Sequence, residues 1–147
     1  LGHLEPVFVK LAGKFDEIAR HVGAGDEAIG HVAEHLVERV AELAPYFAKG
    51  LASLNDHPIV GETRSMGLIG AIELSKNKAT RARFHDSGRV GTICRDHCFA
   101  NNLVMRACWD TMVLAPPFTI TKKEIDEIVR LARVALDATY ADGKGEM

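Results

Sequence analysis

Two short runs of apolar and β-branched residues meet at the dipeptide Trp109-Asp110, and this pattern constrains the chain more than any other stretch. Val104, Met105, Ala107 and Cys108 on one side and Thr111, Met112, Val113 and Leu114 on the other predict a tight buried hairpin within residues 103–117. Pro116 and Pro117 end the pairing, because proline has no N–H to give to a ladder. Arg106 is the charge inside the first run. A guanidinium stays ionised and offers a planar fork of donors that matches a carboxylate or phosphate, so a buried Arg106 is expected to meet an anion. That anion is either a substrate or an acid of this chain, and the plain alternative is an edge arginine facing water.

Helical spacing surrounds the hairpin. Phe8, Leu11, Phe15, Ile18 and Val22 recur at intervals of three and four, which predicts a helix over 6–21 that Gly23 and Gly25 stop. Asp26 can cap a second helix with an apolar line from Ile29 through Val32, Leu36, Val40, Leu43, Phe47 and Leu51 to Leu54. Pro45 lies inside it and predicts a kink near Glu42 or a break. Residues 60–74 alternate as one strand, with Gly67 and Gly70 marking a bulge or a close backbone approach. Residues 75–87 are polar and basic, with Lys76, Lys78, Arg81 and Arg83; they read as a solvated loop or short helix, or as a phosphate site.

A third helix over 88–101 places Val90, Ile93, Cys94, His97 and Cys98 on one side. After the hairpin, Thr121 and Glu124 form a capping box, with Ile120 and Ile125 placed as its hydrophobic staple. Ile128, Val129, Ala132, Leu136 and Thr139 continue that helix's buried face, and residues 143–147 are expected to be disordered. The order implies an α+β fold: a small antiparallel or mixed sheet packed against four to five helices.

The chain's 147 residues suit one domain with a proper core. A net charge of -2 proposes no nucleic-acid footprint. No apolar run approaches the ~20 residues of a membrane span, and no leader-like N-terminal pattern is present. Three cysteines, an odd number, suggest reduced thiols and a cytoplasmic home.

Two metal-like patterns need weighing. His31, Glu34 and His35 spell H-x-x-E-H, the zinc-peptidase signature read in reverse, but a third ligand is required and no glutamate lies between Leu74 and Ile120. Cys94, His97, Cys98 and Cys108 have poor spacing for zinc and read better as small thiols packed in a core. No phosphate-binding glycine loop and no G-x-S-x-G nucleophile motif occurs.

Residues 103–117, followed by ITKKEIDEIV, resemble the C-terminal segment of the class III aminotransferases that use pyridoxal phosphate, of the omega-amino acid:pyruvate type. VGETRSMGLIGAIEL at 60–74 resembles the same family's preceding strand. The resemblance covers about residues 36–140 and implies the small domain of a fold type I enzyme. It leaves residues 1–35 as an unmatched helical segment, 36–142 as the α+β region and 143–147 as a tail. Trp109 stands where the family commonly has glycine. The resemblance further implies that Arg106 binds the carboxylate of an amino or keto acid, swinging aside for substrates without one; Arg64 is read as structural, capping or pairing. It implies a homo-oligomer, a dimer, with pyridoxal phosphate in the intact enzyme. None of Lys10, Lys14, Lys49, Lys76, Lys78, Lys122, Lys123 and Lys144 has the family's Schiff-base context, so a fragment without the reacting centre, inactive alone, is expected. A helical interaction module that dimerises through apolar faces is the alternative from another class.

Overall fold

The computed structural model describes residues 26–142, with side chains from residue 35 onward. The chain divides into two units at residues 40 and 41. In the first, residues 26–40 are helical, and His35 Nδ1 lies 3.5 Å from the Glu38 carboxylate one turn along. The predicted helix over 6–21 and the tail at 143–147 lie outside the described residues.

Helix α1, Asp26–Ala52, carries the chain into the second unit. There follow a 3-10 turn at Ser53–Asp56, strands β1 (Val60–Met66) and β2 (Ile69–Leu74), helix α2 (Arg89–Ala100), strands β3 (Arg106–Cys108) and β4 (Thr111–Leu114), and helix α3 (Lys122–Asp142). The sheet has four strands in the order β1-β2-β4-β3, each pair antiparallel. The fold is α+β, with three α-helices among the described residues.

α1 does not break at Pro45. Proline deprives the carbonyl four residues back of its partner, but Ala41 and Pro45 are both exposed, so water can take that role. The opposite stripe, Leu43, Phe47 and Leu51, is buried, and this burial outweighs the missing bond at about 1.5–3 kcal/mol for each large side chain. Gly70 lets β2 come close: an added Cβ would sit 2.4 Å from Leu51 Cδ1 and 3.0 Å from Phe47 Cζ.

Residues 60–74 form a hairpin rather than one strand. Met66 pairs with Ile69, and Gly67, at φ +58°, makes the turn with Leu68 between them. Alternation alone placed Met66 beside Leu68, Gly70, Ile72 and Leu74. The turn sends it to the other face, where it is 63% exposed. Residues 75–88 form a loop closed by an isolated bridge between Asn77 and Ala82.

α3 starts as its capping box predicts. Glu124 N–H donates to Thr121 Oγ1 at 3.3 Å, and the Glu124 carboxylate accepts from Thr121 N–H at 2.8 Å. Ile120 and Ile125 are both buried. On α2, Val90, Cys94 and Cys98 are buried, whereas His97 is half-buried and its Nε2 lies 2.8 Å from the Asp142 carboxylate of α3.

Candidate functional site

The two faces of the sheet have different chemistry. Gly70, Ile72 and Leu74 of β2 and Met112 and Leu114 of β4 are buried on one face. Because directly opposed residues in an antiparallel pair share a face, the register collects Glu62, Arg64, Ala71, Glu73, Thr111, Val113, Arg106 and Cys108 on the other. All of these are half-buried or exposed. One row runs straight across, Arg64–Ala71–Val113–Arg106, with an arginine on each edge strand and a floor of small and β-branched residues between them.

The two arginines are in different states. Arg64 is held by its own hairpin, 3.3 Å from Glu73 and 3.8 Å from Glu62, which is the structural pairing expected of it. Arg106 opens the edge strand β3 and is exposed, and no carboxylate pairs with it among the described residues. The expectation of a charge set at a costly buried place is therefore corrected. The edge position leaves the Arg106 guanidinium open to solvent.

The hairpin tip is fixed by the helix beside it. The Asp110 carboxylate accepts from Gly88 N–H and Gly91 N–H, each at 2.9 Å, so it caps the N-terminus of α2 from across the fold. Gly91 permits the contact, since an added Cβ would lie 1.9 Å from the Trp109 carbonyl oxygen. Trp109 adopts φ +56° although it is not glycine, and the residue is 74% exposed. Left-handed backbone costs a bulky residue about 1–2 kcal/mol, while glycine's extra unfolded-state freedom offsets about 0.5–1 kcal/mol of any gain. Trp109→Gly is therefore expected to raise the urea midpoint by the equivalent of about 1 kcal/mol; an unchanged or lower midpoint would mean that the ring makes stabilising contacts.

Three hollows surround this region. One of about 500 Å³ lies on the open face, lined by Arg64, Glu73, Arg83, Ser87, Cys108, Trp109 and Thr111 among others. A second of about 540 Å³ lies on the other side of Trp109, against Arg89 and Arg95. The third, about 420 Å³, is apolar, between Val104, Pro116, Pro117 and Ile128. Arg106 lines none of the three.

Sequence reading missed His57, which is 3% exposed. Its Nδ1 accepts from Ile59 N–H at 3.4 Å, which leaves Nε2–H to donate to Asp137 at 3.2 Å. Burial holds its pKa below the ordinary value, against the pull of Asp137 in the other direction.

The two metal-like patterns are not assembled into sites among the described residues. The side chains of His31 and Glu34 lie outside those residues, and His35 faces Glu38. Cys94 and Cys98 are buried, and the Cys98 thiol is pushed far up by its hydrogen bond to Cys94 and by burial. Cys108 is exposed on β3. No group of three potential ligands converges, and no helix is long and apolar enough to cross a membrane, among the described residues.

A cofactor such as pyridoxal phosphate needs an amine held out of water, an acid for its ring nitrogen and a phosphate cradle. Lys49, Lys76, Lys78, Lys122 and Lys123 are all exposed, so the described residues do not form such a pocket.

Comparison with solved proteins places this architecture among the omega-transaminases. The PMP-bound form of an aminotransferase from Vibrio fluvialis superposes with a TM-score of 0.73 at 31% identity, over 80% of this chain and 26% of that one. A thermostable omega transaminase 6-fold mutant from Pseudomonas jessenii gives 0.69 at 33% identity, over 73% and 24%. The sequence model of the family described as Aminotransferase class-III matches residues 24–136, and the chain belongs to that family. The putrescine–pyruvate aminotransferase of Pseudomonas aeruginosa is 53% identical over 109 residues, 74% of this chain and 24% of that protein. Gamma aminobutyrate transaminase 1, mitochondrial, of Solanum lycopersicum is 38% identical over 105 residues, 71% and 20%. The chain thus spans about a quarter of the length of the curated relatives it matches.

Proposed function

We propose that this chain is the small-domain part of a pyridoxal-phosphate-dependent class III transaminase. The enzyme would pass an amino group from an omega-amino acid or amine to pyruvate, with Arg106 gripping the substrate carboxylate. The observation that carries the reading is an arginine with no acid partner among the described residues, standing on the open face of a sheet in a chain of this family. A bidentate guanidinium–carboxylate pair fixes both the distance and the plane of the acid, and so orients the amino or keto carbon beyond it. The side chain's exposure on an edge strand leaves it free to swing aside when the donor is a simple amine. The cofactor's anchor is assigned to the remaining length of the enzyme, so the chain alone is expected to be inactive. The full enzyme is taken to be a cytoplasmic homo-oligomer, a dimer.

Arg106→Leu in the full-length enzyme tests the assignment. Loss of an exposed bidentate grip is worth about 1.5–3 kcal/mol, so KM for pyruvate is expected to rise about 10–100-fold, while KM for a donor amine without a carboxylate changes less than about twofold. An unchanged KM for pyruvate would remove Arg106 from substrate recognition.

A further inference from the structure

A second arginine on the open side of the fold is uncommitted. Arg64, Arg95, Arg130 and Arg133 each have a carboxylate partner. Arg83, in the basic loop after β2, is exposed, has no acid partner among the described residues, and lines the 500 Å³ hollow on the open face.

The other charges in that hollow are already engaged. Glu73 is held by Arg64 at 3.3 Å, and Asp110 takes the N–H groups of Gly88 and Gly91. What remains available is one guanidinium and the Ser87 hydroxyl, beside the Cys108 thiol and the indole of Trp109. The hollow is therefore suited to an anion.

Its position relative to Arg106 gives it a role. Cys108, a lining residue, is two residues along β3 from Arg106 and shares its face, which puts their Cα atoms about 7 Å apart. A ligand gripped at Arg106 and lying along β3 over Cys108 and Thr111 runs into the hollow. Trp109, at the tip held by Asp110 and the close approach of Gly91, lines it too.

We infer that this hollow is a second anion subsite: the distal carboxylate of a short aliphatic dicarboxylate docks on Arg83 and Ser87 while its first carboxylate sits on Arg106. The inference rests on the reading of Arg106 as the primary carboxylate grip. It extends that reading by making Arg83 the residue that separates two-acid from one-acid ligands.

The test is titration of the isotopically labelled 147-residue chain with glutarate and, at matched ionic strength, with butyrate, following the Arg83 and Arg106 Nε–H and Trp109 Nε1–H resonances. Glutarate is expected to move all three saturably and to bind about tenfold more tightly than butyrate, the effect of one added charge-assisted contact at an exposed site. Butyrate is expected to move Arg106 alone. Arg83→Gln should bring glutarate down to the butyrate level, and Arg83→Lys, which keeps the charge but not the fork, should fall between.

Equal affinities for the two acids, an Arg83→Gln variant that binds glutarate as tightly as the parent, or no saturable shift with either acid would each overturn the subsite. Arg106→Leu separates the two readings, since it should abolish butyrate binding and weaken glutarate. Butyrate binding that survives in the Arg83→Gln, Arg106→Leu double variant, where neither fork remains, sinks the primary grip. A glutarate preference that still depends on Arg83 in that variant leaves the hollow standing as an anion site by itself.

Discussion

Alanine at position 91 is expected to cost about 3–5 kcal/mol of stability, more than its single methyl group suggests. The new Cβ would meet the Trp109 carbonyl oxygen at 1.9 Å, the Trp109 carbonyl carbon at 3.0 Å and Asp110 Cα at 3.1 Å. All three are backbone atoms, so no rotamer change relieves the clash, and the hairpin tip must move off α2. Overpacking of that kind costs about 1–3 kcal/mol. The displacement also pulls the Asp110 carboxylate away from Gly88 N–H and Gly91 N–H, which adds about 1.5–3 kcal/mol for bonds to a charged acceptor.

Gly70→Ala is the matched control. Its Cβ would be closest to Leu51 Cδ1 at 2.4 Å and the Phe47 ring at 3.0 Å, both of them side-chain atoms that can turn, so about 1–2 kcal/mol is expected. Urea unfolding of both variants checks the order. A smaller loss for Gly91→Ala than for Gly70→Ala would mean the tip is not clamped. Combining Gly91→Ala with Asp110→Ala should cost less than the two losses added, because both break the same contact.

These two glycines show what could be read from the sequence and what could not. Local signals carried the capping box at Thr121 and Glu124 and the two-residue turn at Trp109-Asp110, because each is encoded within a few neighbouring residues. Gly70 was legible as a bulge or close approach from its residue type inside a strand, but the α1 side chains that come close to it, Phe47 and Leu51, were not. Gly67 was misread as part of one strand, since period-2 alternation is blind to a two-residue turn whose flanking residues keep alternating.

The long-range contacts left no mark in the sequence. Nothing near Asp110 says that its carboxylate caps a helix starting some twenty residues earlier, and nothing near Arg83 says that its loop folds beside β3. Arg106 lies between these cases. Its residue type and strand position pointed to an anion, but its exposure depended on which strand became the sheet edge, and that is a property of topology.

His57 is another contact of that long-range kind, and its replacement should be nearly as costly while also changing how stability depends on pH. It sits 3% exposed between the 3-10 turn and α3, with its ring edge-on to Tyr140, the centroids 6.0 Å apart. His57→Ala would empty that space and leave Ile59 N–H without its acceptor, for a loss of about 2–4 kcal/mol near pH 7.5. The pH effect follows from the tautomer. With Nε2–H donating to Asp137, a second proton must go to Nδ1, where it would face the Ile59 N–H that now donates there. Burial adds to this penalty; Asp137 and Asp56 favour the proton, and Arg133 opposes it. The net effect is a folded-state pKa below the ordinary value of about 6.5, so between those two values the unfolded chain binds more protons than the folded one. This contribution is therefore complete above about pH 6.5 and is lost as pH falls through the folded pKa. His57→Phe keeps a ring in the space but cannot titrate. Its stability should be lower than the parent's near pH 7.5, and the gap should narrow on acidification toward pH 5, because only the parent loses this term. Chemical denaturation at several pH values decides the matter: a gap that stays constant would mean that folding leaves the His57 proton affinity unchanged, one that widens in acid would mean that Asp137 holds the ring protonated, and either would mean that burial does not govern its charge.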